Sequence, residues 1–177
     1  MSTALPPRPR SAPSNQAHIA IVASIYNDEY TNALVENAKD ELGKILPNTT
    51  LDIARVPGAF EIPVACELLL SRPNPPQAVI ALGLIIRGQT KHAELVAESV
   101  TASLQEMAVR HKTPVIHEVL LVENENQAYA RCVDEALNRG REAARAVHTM
   151  VELINAINPV TTTLPKPNIS FTKNAQS

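Results

Sequence analysis

A glycine turn followed at once by Gln89, Thr90, Lys91 and His92 is the part of this sequence best equipped for chemistry. It lies within Ile80–Glu98, IALGLIIRGQTKHAELVAE, where an uncharged apolar run breaks at Arg87-Gly88. A buried strand ending in a tight turn that opens a helix presents free backbone N–H groups and the positive end of a helix dipole. Those are the elements of a phosphate site. Thr90 adds a hydroxyl, and His92 adds a group that gains or loses a proton near neutral pH. Upstream, Val56–Pro63 reads VPGAFEIP and supplies a carboxylate, Glu61, beside an aromatic residue, Phe60.

These side chains need a scaffold, and the apolar pattern supplies one. His18–Ser24 is an apolar, β-branched run and predicts a first strand. Asp28 is placed to cap a helix with Leu34, Val35, Ala38 and Leu42 on one face, ending near Gly43 and Pro47. Alternation over Thr50–Val56 predicts a second strand. A helix is expected over Ile62–Ser71, with Pro63 in its first turn, where the missing N–H does no harm. Ala78–Ile86 is almost wholly apolar, the pattern of a parallel strand covered on both faces.

A long helix is predicted from about Lys91 to His111, with Val96, Val100, Leu104 and Met107 on one face, and a fourth strand over Pro114–Val122. Two helices follow, Glu123–Leu137 and Arg141–Ile157, divided at Gly140. The last carries an apolar stripe of Ala144, Val147, Val151, Ile154 and Ile157. Alternation of strand and helix predicts an α/β fold: a three-layer αβα sandwich on a four-stranded parallel sheet. Ligands of such sheets bind at the carboxyl ends of the strands. The loops Ile25–Asp28, Gly58–Glu61 and Arg87–His92 are therefore expected to converge on one crevice. Tyr26 and Phe60, two of only five aromatic residues in the chain, fall in those loops, either to bind a flat ring or to plug the sheet edge.

Other uses of the architecture lack their motifs. No G-x-G-x-x-G follows the first strand, no G-x-x-x-x-G-K-[ST] occurs, and no G-x-S-x-G elbow appears. No His, Cys and carboxylate cluster has zinc spacing, so no metal is expected. The chain has 177 residues, 45% hydrophobic and 19% charged, with a net charge of −2. That balance fits one globular domain without a nucleic-acid surface. No apolar run approaches the roughly 18–20 residues of a membrane span. Cys66 and Cys132 read as buried free thiols of a reducing, cytoplasmic setting. Residues 1–16, with Pro6, Pro7, Pro9 and Pro13, are expected to form a flexible arm, 17–157 the domain, and 158–177 a flexible tail. The arm lacks the apolar core of a secretory signal; Arg8, Arg10 and the serines leave a short transit peptide open, though the segment is too proline-rich for an amphipathic helix.

Three segments together, VPGAFEIP, ALGLIIRGQTKHAELV and TPVIHEVLLVENENQAYAR, resemble the 6,7-dimethyl-8-ribityllumazine synthases. The resemblance runs through His18–Ile157 and implies a flavodoxin-like fold. It also implies an activity, the penultimate step of riboflavin biosynthesis. There, 5-amino-6-(D-ribitylamino)uracil condenses with 3,4-dihydroxy-2-butanone 4-phosphate, and no cofactor is used. Carried over by motif, Tyr26 would stack on the pyrimidine with Asn27 beside it. Ala59, Phe60 and Glu61 would hold the ribityl chain and ring edge, and the backbone of Leu84, Ile85 and Ile86 would read the uracil. Gln89, Thr90 and Arg131 would hold the phosphate, and His92 would transfer protons. The family's pentamers, in some members packed into a hollow shell, imply a homo-oligomer.

Two positions depart from the family's pattern. His117 stands where a Phe from the neighbouring subunit usually covers the ring. After Arg131 the sequence runs Cys132-Val133-Asp134-Glu135, where the family has a Lys one turn on; Lys91 is a candidate to replace that charge. A non-catalytic paralogue that binds lumazine or riboflavin is the alternative these departures leave. His18, His111 and His148 read as surface or packing residues. Glu94 and Glu98, one turn apart, read as a solvated face.

Overall fold

The computed structural model describes residues 4–12 and 16–158. The expected tail, 158–177, lies outside them except for its first residue. Strands β1 (Ala17–Ser24), β2 (Thr49–Val56), β3 (Ala78–Ile86) and β4 (Val115–Val122) form one parallel sheet in the order β2-β1-β3-β4. Helices α1 (Asp28–Ile45), α2 (Ile62–Leu70), α3 (His92–His111), α4 (Glu125–Cys132) and α5 (Arg139–Ile157) cover it. α1, α4 and α5 lie on one face, α2 and α3 on the other. This is the expected three-layer αβα sandwich, a flavodoxin-like arrangement.

Burial follows from the sequence pattern. β3 is buried from Ala78 to Leu84 because both faces are covered, whereas β2, at the edge, has no fully buried residue. One core joins Ile19, Ile21, Leu34, Ile80 and Val147, and a second joins Val22, Ile62, Cys66, Leu104 and Val119. Each such aliphatic side chain contributes about 1.5–3 kcal/mol relative to exposure. Cys66 and Cys132 are free and buried, as their apolar contexts predict.

Four expectations are corrected by local hydrogen bonding. Asn27, not Asp28, is the N-cap of α1: it takes a left-handed conformation at φ 59°, and its carbonyl accepts from the Tyr30 and Thr31 N–H groups. α4 begins after Asn124, whose side chain accepts from Gln127 N at 3.1 Å. It ends at Cys132, not Leu137, because Asn138 Nδ2 caps the Cys132 carbonyl at 2.9 Å while Val133 and Asp134 N–H both turn back to Tyr129 O. Asn138 also accepts from Arg141 N, so α5 starts at Arg139 and Gly140 lies inside it. Gly140 is no separator. A Cβ there would lie 2.3 Å from Leu34 O, so the glycine lets α5 pack against the α1 backbone.

Residues 4–12 run along this helical layer. Arg8 donates from both Nε and Nη2 to Glu41 at 2.8 Å each, Arg145 donates to Glu41 at 2.7 Å, and Ala12 N donates to Ile45 O. Glu41 is fully buried and its carboxylate is held by those two arginines.

Candidate active site

The ladders end unevenly, and that opens the site. β1 pairs with β3 only as far as Ala23 with Leu82, while β4 follows β3 to Ile86. On its β1 side, β3 therefore runs past its neighbour from Gly83 onward. Asn27, held in its left-handed turn, reaches this stretch and donates from Nδ2 to Leu84 O at 2.9 Å.

The second wall is the β2–α2 connection. Gly58 N donates to Glu61 Oε2 at 2.9 Å, which closes a single 3-10 turn over Ala59–Glu61 before α2. The Tyr26 ring lies close against Gly58, where a Cβ would meet its Cδ2 at 3.0 Å. Any larger residue at 58 would displace the ring. Pro63 in the first turn of α2 matches its expected place.

The third wall is the turn from β3 into α3. His92 N–H lies 3.5 Å from Thr90 Oγ1, a long contact that leaves the first-turn N–H groups only weakly satisfied by the chain itself. Thr90 and His92 are both exposed.

These walls enclose a half-open cavity of about 660 Å³ lined by Tyr26, Asn27, Ala59, Phe60, Glu61, Leu84, Ile85, Ile86, Thr90 and His92. Ten residues expected from sequence thus share one space, and the three strand-end loops meet there. Gly58, Gly88, Ala93, Leu95 and Val96 complete the lining, and sequence reading did not name them as site residues. Their signal was available for α3, because Leu95 and Val96 follow His92 by three and four positions and so share its face. Tyr26 is 69% exposed, Phe60 61% and Leu95 64%, an apolar rim open to solvent. Among the described residues no Lys or Arg lines the cavity, and Glu61 is its one carboxylate.

Gln89, His117 and Arg131 do not line it. Gln89 is exposed in the turn. Arg131 lies on α4, where its Nη1 donates to Gln127 O at 3.3 Å. His117 lies on β4, its Nε2 2.9 Å from Thr101 Oγ1 on α3. Thr101 gives its one proton to Ala97 O at 2.7 Å, so the hydroxyl accepts from His117 Nε2–H. Burial pushes the His117 imidazole below its ordinary pKa.

The charges outside the cavity also differ from expectation. Lys91 is the exposed N-cap of α3 and is not in the lining. Glu135 stands beyond the end of α4 and not one helical turn from Arg131; its Oε1 pairs with Arg141 at 3.3 Å. Glu94 is half-buried rather than fully solvated: its Oε1 pairs with Arg87 Nε at 3.0 Å, and its Oε2 is buried with no hydrogen-bond partner among the described residues. His18 Nε2 lies 3.1 Å from Asp52 Oδ2 and His111 Nε2 lies 3.1 Å from Glu67, both half-buried, whereas His148 is buried on α5. No metal-binding cluster occurs among the described residues, and no helix there is long and apolar enough to cross a membrane.

Comparison with known proteins agrees with this geometry. The family model for 6,7-dimethyl-8-ribityllumazine synthase matches residues 16–155, which takes in every strand and all but the last turn-end of α5. The 6,7-dimethyl-8-ribityllumazine synthase of Agrobacterium fabrum is 36% identical over 143 residues, 78% of this chain and 95% of that protein. With its sheet, its three converging loops and its motifs all inside the matched region, the chain belongs to the 6,7-dimethyl-8-ribityllumazine synthase family.

Proposed function

We propose that the cavity between Tyr26, Phe60 and His92 is where this chain makes 6,7-dimethyl-8-ribityllumazine. The chain is a transferase of riboflavin biosynthesis. It condenses 5-amino-6-(D-ribitylamino)uracil with 3,4-dihydroxy-2-butanone 4-phosphate and releases phosphate and water. The observation that carries the site assignment is the meeting, in one cavity, of an aromatic wall, an open strand end and the Thr90–His92 helix start.

The chemistry fits those groups. The pyrimidine lies against Tyr26 and Phe60, with its polar edge toward the backbone of Leu84–Ile86 and Asn27. Ala59 and Glu61 face the ribityl chain; Glu61 Oε2 is taken by Gly58, which leaves Oε1 to accept from hydroxyls. Amine attack on the ketone gives a carbinolamine and then an imine, phosphate is eliminated, and the second amine closes the ring. Each step moves a proton, and His92 serves them from the edge of the cavity. Gln89, Thr90 and the first-turn N–H groups of α3 hold the phosphate as it leaves. Holding two reactants in register supplies much of the rate.

A phosphate dianion in a cavity that no Lys or Arg of the described residues lines needs a cation from outside that lining. The reading is a homo-oligomer, a pentamer or a shell of pentamers, in which Arg131 of one copy completes the anion site of the next and His117 covers the ring. The exposed apolar rim of Tyr26, Phe60 and Leu95 supports a neighbour there. The buried free thiols support a cytoplasmic location.

His92→Ala tests the assignment. Its kcat should fall by about 10²–10⁴, the usual loss of a general acid/base, with pyrimidine affinity little changed. An unchanged kcat would remove His92 from the proton transfers.

A further inference from the structure

We propose that Arg87 is a positioning residue that locks the rotation of the first turn of α3 and thereby aims His92 into the cavity. The inference rests on the catalytic reading of His92. Arg87 stands one residue past the end of β3, and its backbone N–H donates to Val122 O at 2.8 Å, which extends the β3–β4 ladder by one step. Its backbone is thus fixed to the sheet before the turn begins.

The guanidinium then grips both sides of that turn. Nε meets Glu94 Oε1 at 3.0 Å, in the first turn of α3, and Nη1 meets Glu123 Oε1 at 2.9 Å, just past β4. Glu123 is itself held, because its N–H donates to Gln127 Oε1 at 3.1 Å. Arg87 therefore spans β3, the β4–α4 turn and α3. Both its carboxylate partners lie outside the cavity, and Arg87 is not in the lining. Its charge is matched there and is not offered to substrate.

Helix geometry gives the clamp its effect. Residues two apart on an α-helix point about 200° apart around the axis. With Glu94 drawn toward Arg87, His92 is turned to the opposite side, where the cavity lies. Among the described residues, Thr90 and the turn through Gly88 have no comparable anchor of their own; the side-chain hydrogen bond within the turn is the long Thr90–His92 approach. The buried, unpartnered Glu94 Oε2 sharpens the dependence. A carboxylate half-withdrawn from water is tolerated only while its other oxygen meets a cation. Without Arg87 it must turn outward, and the helix start would roll with it.

The test is a set of variants of the full chain assayed for kcat, KM of each substrate and pyrimidine affinity. Arg87→Ala and Glu94→Ala should each lower kcat about 10–100-fold, the scale of a 1 Å misplacement of a reacting group, with pyrimidine affinity changed less than about threefold. Arg87→Ala combined with Glu94→Ala should be no slower than the worse single variant by more than about twofold. Glu94→Gln, which keeps an oxygen for Arg87 Nε, should recover most of the rate.

The deciding arm is the His92→Ala background. There Arg87→Ala should cost less than about twofold, because the group it aims is gone. Should Arg87→Ala not accumulate as folded protein, Glu94→Ala carries both arms, since it opens the same clamp and leaves no carboxylate without its cation. Full kcat in Glu94→Ala, or an undiminished loss in the His92→Ala background, overturns the positioning role and leaves His92 catalytic. If His92→Ala itself turns over normally, both readings fall.

Discussion

Asn27 Nδ2 donates to the Leu84 carbonyl across 2.9 Å and so ties the turn after β1 to the free end of β3. One residue thereby starts α1, takes a left-handed conformation and fixes the strand edge that lines the cavity. Asn is among the few residues that adopt this geometry at low cost.

The two contributions of Asn27 separate by substitution. Asn27→Gly keeps the left-handed turn and loses the hydrogen bond, which should cost about 1 kcal/mol of stability. Asn27→Ala adds the left-handed penalty of about 1–2 kcal/mol. Denaturant unfolding of the three proteins measures both. Equal stability of the Gly and Ala variants would show that the turn is not conformationally demanding.

Gly140 should be intolerant of even a methyl group. Its Cβ would lie 2.3 Å from Leu34 O, a backbone atom with no rotamer to escape into. Gly140→Ala must push α5 off α1 and should destabilise by about 1–3 kcal/mol or more, the cost of overpacking. A thermal melt checks this. In an exposed helix interior the same change would stabilise, so the sign alone decides.

Glu118 gives stability a pH dependence. Burial on the α5 side of β4, reinforced by the Glu142 carboxylate and opposed by Arg139, pushes its carboxyl up to about 8. In the unfolded chain it ionises near ~4.3. Because the folded pKa is the higher one, the contribution is full below about pH 4.3 and is lost as pH rises through about 8. Glu118→Gln should therefore match the parent near pH 4 and exceed it increasingly from pH 5 to 8. Melting temperatures of both proteins across that range test it, and parallel curves would contradict it.

Elements with strong local signals were legible in the sequence, and features set by tertiary contact were not. Val79–Leu82 and the Leu34, Val35, Ala38, Leu42 stripe announce a buried strand and an amphipathic helix through spacing alone. The early end of α4 depends on Asn138 reaching back to Cys132 O, six residues away, which no helical period reveals. Gly140 reads as a break because a helix interior normally disfavours glycine; only the approach of Leu34 O explains it. In the site, the strand-end loops could be named because α/β topology brings them together. The Arg87–Glu94–Glu123 clamp could not, since each residue taken singly looks like a solvated charge.

Making a lumazine and merely binding one are separated by a single measurement. The direct measurement mixes the purified 177-residue chain with 5-amino-6-(D-ribitylamino)uracil and 3,4-dihydroxy-2-butanone 4-phosphate, and follows product fluorescence together with phosphate release. A synthase gives many turnovers per chain, with one phosphate released for each lumazine formed. Tight binding of the pyrimidine or of riboflavin, with no fluorescent product and no phosphate above the uncatalysed rate, would contradict synthesis by this chain.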